Sequence, residues 1–244
     1  AERLAGALRD LGVFDGRSPK TFAVEKRAGG WVVKAVVTDA ARTNPAVHAF
    51  YRHSLGVRVA ARAFPGAPVE FQFCDPDLVS HATVALPAAG VVEVQGKDAV
   101  YYLGPVRADA ERVAAFLKPR LGAPAERAFV LSGGGTAGWV VTPLHIVADA
   151  TDPRQEELRT TAGDISSAVF GNAPVKFVLL SNAFDPVLTV GSPTVTSAAD
   201  GRVNAPPAAP PRVAVEEIEA LVAARRGKID RRDGEIHIDL FQQS

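Results

Sequence analysis

Gly30-Trp31-Val32-Val33 returns as Gly138-Trp139-Val140-Val141, and Phe64-Pro65-Gly66-Ala67-Pro68-Val69-Glu70-Phe71 returns as Phe170-Gly171-Asn172-Ala173-Pro174-Val175-Lys176-Phe177. The offsets are 139 − 31 = 108 and 170 − 64 = 106, so a single two-residue indel reconciles them. Two matches in the same order at nearly one spacing mark a repeated module, because chance would not hold the distance between them. In a chain of 244 residues this predicts two domains of ordinary size, each burying a core of its own.

Each repeat carries the same local signals. Leu4, Ala7, Leu8 and Leu11 fall at helical spacing before Gly12, and Val106, Val113, Phe116, Leu117 and Leu121 do so before Gly122, with Asp109 as the expected N-cap. Two β segments follow in each half, Thr21 to Lys26 with Trp31 to Asp39, and Ala128 to Ser132 with Trp139 to Asp149. Glycines join each pair and permit hairpin turns. Asn44-Pro45 and Asp152-Pro153 then place a capping side chain before a proline, with Gln155 completing a capping box after Asp152. Pro68 to Phe73 and Pro174 to Leu180 read as closing strands. The fold class is therefore α+β, two similar modules each packed as a two-layer α/β sandwich. The expected units are 1–103, 104–200, a Pro-rich linker over 201–212 and a tail over 213–244. Gln95-Gly96-Lys97-Asp98 between Val91–Val94 and Ala99–Leu103 is a hairpin signature that could serve either half.

Composition excludes several function classes. Lys plus Arg and Asp plus Glu stand at 27 each, so no global field draws the chain to nucleic acid or an anionic membrane. A single cysteine, Cys74, excludes an intrachain disulfide framework and a cysteine-rich zinc module. It ends the alternating run Val69 to Phe73, where a small buried thiol is the expected reading. The longest apolar stretches are about ten residues, half of what spans a bilayer. The first residues lack the apolar core of a secretory signal, and a cytoplasmic location is expected.

Candidate chemistry is sparse. Gly133-Gly134-Gly135-Thr136-Ala137-Gly138 matches the dinucleotide fingerprint in letters, yet a strand pattern follows, so no helix N-terminus would hold a pyrophosphate. His48, His53, His81, His145 and His237 show no metal-ligand spacing, and no metal or cofactor is expected. Cys74, Asp75 and Asp77, with Asp185 after the equivalent strand, are the residues an enzyme site in a cleft between the modules would use. Asp-Pro and Asp-rich loops are also ordinary turn chemistry.

The end of the chain reads as a separate unit. Asn204 to Pro211 holds four prolines and predicts a stiff extended spacer, followed by a helix over Val215 to Arg226 and a short strand over Ile236 to Phe241. Val215, Ile218, Leu221 and Val222 form an apolar stripe, and with Arg225 and Arg226 they are the expected partner-binding residues. Arg225, Arg226, Lys228, Arg231 and Arg232 are also the one cluster that could grip nucleic acid.

From Gly104 to Ser181 the second module resembles the C-terminal domain of the bacterial SseB family, the enhanced-serine-sensitivity proteins. The resemblance rests on Gly104-Pro-Val-Arg-Ala-Asp-Ala-Glu-Arg-Val, Glu126-Arg-Ala-Phe-Val-Leu, Leu144-His-Ile-Val-Ala-Asp, Ala162-Gly-Asp-Ile-Ser-Ser-Ala-Val and Ala173-Pro-Val-Lys-Phe-Val-Leu-Leu. It implies an α/β domain without a catalytic set. The function expected from all this is a non-enzymatic protein-interaction module in bacteria: an adaptor, chaperone-like protein or assembly component with a protein partner, and with homo-oligomers open.

Overall fold

The computed structural model describes residues 2–13, 21–134, 137–144, 153–192, 228–232 and 235–239. They fall into two units, Ala1–Val195 and Thr196–Ser244.

Within the first unit, one element order occurs twice. The first half runs α1 (Glu2–Asp10), β1 (Phe22–Arg27), β2 (Gly30–Val36), α2 (Asp39–Arg42), α3 (Pro45–His53), α4 (Leu55–Ala63), β3 (Val69–Cys74) and β4 (Ser80–Leu86). A hairpin, β5 (Ala89–Gln95) and β6 (Asp98–Leu103), follows. The second half runs α5 (Arg107–Leu117), β7 (Ala128–Gly133), β8 (Trp139–Pro143), α6 (Gln155–Phe170), β9 (Val175–Leu180) and β10 (Pro186–Gly191). In the sheet β1-β2-β3-β4 the middle pair is parallel and the outer pairs antiparallel. β7-β8-β9-β10 repeats that pattern, and the β5–β6 hairpin extends this second sheet by pairing β6 parallel to β7. The fold is α+β with mixed sheets, as the periodicities predict.

The repeat is visible at single atoms. Trp31 N donates to Pro68 O at 2.9 Å, and Trp139 N to Pro174 O at 2.8 Å. Ala67 N to Phe64 O and Ala173 N to Phe170 O both measure 3.1 Å. Gly30 and Gly138 have positive φ, and a Cβ would collide with the carbonyl of Pro68 in the first case and of its counterpart Pro174 in the second, which explains why glycine precedes both tryptophans.

Several elements depart from expectation. β4 and β10 add an antiparallel edge strand beyond each closing strand. The crossover of the first half breaks at Ser54 into α3 and α4, whereas α6 is continuous. Asn44 caps α3 by accepting from Ala46 N at 3.0 Å, as the Asn-Pro pair predicts. Asp152 lies outside the described residues, and α6 starts at Gln155 behind Arg154. Asp109 is not the N-cap of α5. Val106 holds that position, and the Asp109 carboxylate is engaged one turn on by Arg112.

Burial explains the layering. α4 buries seven of its nine residues, Leu55, Gly56, Val57, Val59, Ala60, Ala61 and Ala63, because it is covered on two sides. One side meets the first sheet at β4, where Leu86 lies against Gly56, and the other packs on β5 and β6, with Ala99 and Tyr101 in the same apolar cluster. The alternate β6 residue Val100 points into a second cluster with Val113 of α5 and Ile165 of α6. The order is sheet, helices, sheet, helices. The sequence leaves open whether the two modules pack together; in the structure the helices of the first half serve both sheets.

The second unit contains an antiparallel hairpin, β11 (Lys228–Arg232) and β12 (Glu235–Asp239). The sequence predicts a helix ending near Arg226 and a strand starting at Ile236, but Lys228, Arg231 and Arg232 belong to a strand. The spacer 204–211 and the stripe Val215, Ile218, Leu221, Val222, Arg225 and Arg226 lie outside the described residues.

Candidate functional site

The carboxylates expected in a cleft site sit in two matching turns. Asp75 Oδ1 accepts from Asp77 N and Val79 N, both at 3.0 Å, and Ser181 Oγ accepts from Ala183 N at 3.1 Å and Asp185 N at 3.3 Å. Leu78 and Phe184 take φ of 62° and 64° in these turns. Asp75 is thus the counterpart of Ser181, and both side chains fold a backbone loop. The second Asp75 oxygen accepts from His81 Nε2 at 2.9 Å; this bond and those from Val79 and Asp77 hold the carboxyl below its usual range. Asp77 and Asp185 are exposed.

Cys74 is fully buried, its thiol donates to Gln72 O at 3.7 Å, and burial pushes its pKa up, the reverse of a nucleophile's tuning. Among the described residues the structure brings no base to it. Nor do three or more His, Cys, Asp or Glu converge there as a metal site would require. No helix among them is long and apolar enough to cross a membrane.

A different place has the shape of a site. Leu4 of α1, Trp31 of β2, Ala63 of α4, then Phe64, Pro65 and Ala67 line a groove of about 620 Å³, with Glu2 and Arg3 also on its wall. The Trp31 and Phe64 rings lie 5.1 Å apart, inclined by 34°, so they form an open notch. The repeat supplies the comparison. Trp139 stacks flat on Phe170, 4.3 Å apart and 12° from parallel, and is only 8% exposed. Gly134 backs against the Trp139 indole, and Arg112 lies 5.7 Å over Phe170. Arg112 Nη1 also donates to Val169 O at 2.8 Å, at the C-terminus of α6.

Position by position, the difference has one main cause. The buried residues Leu4, Ala7 and Leu8 of α1 match Ala110, Val113 and Ala114 of α5 at the offset 110 − 4 = 106, the same as Phe64 to Phe170. Arg112 therefore corresponds to Gly6, whose missing side chain has nothing within 4 Å. The first half therefore lacks the arginine that caps Phe170, although Phe64 is itself only 7% exposed and Lys26 Nζ lies 5.8 Å over the Trp31 ring. Sequence reasoning passes over this because Gly6 reads only as a weak helix residue, although aligning the lead-in helices would set it against Arg112.

Comparison with known protein families, curated proteins and solved structures finds no match to this chain.

Proposed function

We propose that the protein is a non-enzymatic interaction module, an adaptor or assembly component of SseB-like type working in the bacterial cytoplasm, whose first half docks a protein partner in the Trp31–Phe64 groove. The observation that carries this reading is the asymmetry between the halves: a packing site that the chain caps with its own arginine in one copy lacks that cap in the other. A concave apolar wall with charged groups at its margin suits a protein segment. The turn roles of Asp75 and Ser181 and the inert setting of Cys74 lend the enzyme reading no support.

The test is affinity capture from a bacterial lysate by the intact chain, by Ala67→Arg, and by a chain ending at 204. Ala67 is half-buried on the groove wall, so a long cation there obstructs docking without opening the core. Partners retained by the intact chain and lost with Ala67→Arg support the groove. Partners lost only on truncation move the docking role to the tail stripe, and capture of nothing by any of the three proteins ends the interaction reading. A nucleic-acid role for the tail arginines would instead show as binding that collapses with salt.

A further inference from the structure

We infer that the Trp31–Phe64 groove receives an arginine side chain of the partner protein, a proposal that rests on the docking reading above and names its chemistry. The second half shows what completes this packing unit. The Arg112 guanidinium covers the Phe170 ring, donates to the Val169 carbonyl and pairs with Asp109. In the first half Phe64 and Ala63, the counterparts of Phe170 and Val169, both line the groove, and Gly6 supplies no cation.

The charges around the groove are mixed: Arg3 on its wall and Lys26, whose Nζ lies 5.8 Å over the Trp31 ring, stand against the negative groups that draw a cation. The last carbonyls of α4 carry the negative end of its helix dipole toward Ala63 and Phe64. An aromatic face attracts a guanidinium, and Glu2 brings a carboxylate to the rim. Arg3 stands at the position of Asp109, 109 − 3 = 106, so the carboxylate has moved by one residue to Glu2. Arginine fits better than lysine because its planar fork can stack on the ring while donating to a carbonyl, as Arg112 does.

The experiment follows the indole N–H resonances of Trp31 and Trp139 in the full chain, assigned with Trp31→Phe, during titration with acetyl-Gly-Gly-Arg-Gly-Gly-amide. Peptides with lysine or citrulline in place of arginine are the comparators. The expected result is a saturable shift of Trp31 alone, with affinity falling about tenfold for citrulline and less for lysine. Gly6→Arg should abolish the shift by plugging the groove within the chain, while an unmoved Trp139 resonance reports an intact fold.

A still Trp31 resonance, an equal response to citrulline, or a response surviving Gly6→Arg overturns the proposal. A Trp31 resonance that moves on dilution of the protein alone assigns the arginine to a second copy and likewise overturns it. If Ala67→Arg abolishes lysate capture while Trp31 ignores the peptide, the arginine fails and the docking reading stands.

Discussion

Asp98 shows how one side chain ties distant pieces of chain together. It opens β6 with no solvent exposure, and its Oδ1 accepts from Arg127 N at 2.7 Å and Ala125 N at 3.2 Å. Oδ2 accepts from Arg127 Nη2 at 2.8 Å, and Arg127 also donates to the carbonyls of Leu121 and Ala123, fixing the connection between α5 and β7. The Arg127 hydrogen bond, helped by the two backbone donors, holds the Asp98 carboxyl down at about 2. Asp98→Asn should cost about 3 kcal/mol in urea denaturation, since it strands a mostly buried guanidinium. Because the folded pKa is depressed, this stabilisation is complete above the unfolded carboxylate value of about 4 and fades as pH falls toward 2. The acid limb of a stability-against-pH curve should therefore be shallower in the variant. None of this is legible locally: Asp98 reads as a hairpin residue, and Arg127 is 29 positions away. Cys74 is legible, because an alternating apolar strand already announces a buried end. Its thiol should react with an aromatic disulfide reagent only at the rate of unfolding, and prompt labelling of native protein would contradict its burial.

At the scale of elements, the repeat sets the strands and the exceptions come from close approach. β1, β3 and β4 match β7, β9 and β10 at one offset, 128 − 22 = 175 − 69 = 186 − 80 = 106, which is why two recurring motifs suffice to place most of them. β4 and β10 escape prediction because those motifs stop short of them and Ser80-His81-Ala82-Thr83 is too polar to read as a strand. The break between α3 and α4 turns on Gly56, where a Cβ would strike the Tyr51 carbonyl and press on Leu86. Gly56→Ala should cost about 2 kcal/mol by overpacking, measured as a lowered denaturation midpoint at unchanged slope. Gly6→Ala, in open space on a helix, should instead raise stability by about 0.5–1 kcal/mol. The opposite signs at two helical glycines check that one is tightly packed and the other stands in open space.

Across the whole first unit, the shared helical layer decides how much of the chain can stand alone. Residues 1–103 keep the β5–β6 hairpin but remove the rest of its sheet, and 104–195 lose both that hairpin and the helices behind it. Neither piece should give the dispersed amide spectrum of a folded domain, whereas 1–195 should unfold in a single transition. A well-dispersed spectrum from either piece would show that its core is self-sufficient. The sequence announces two modules but not their fusion, since the apolar spacing of α4, interrupted by Arg58 and Arg62, names one buried face and not a second cover. The likeness of the halves carries a further liability during folding. β2 pairs parallel with β3 through Val33 and Phe71, and β8 with β9 through Val141 and Phe177, so each strand can find a near-equivalent wrong mate in the other half. Such exchanges are the characteristic failure of repetitive chains. Refolding at high concentration should accumulate misassembled species, and the differing turn lengths of the two hairpins, together with an arginine plug present in only one half, then act as the marks by which a growing chain tells its copies apart.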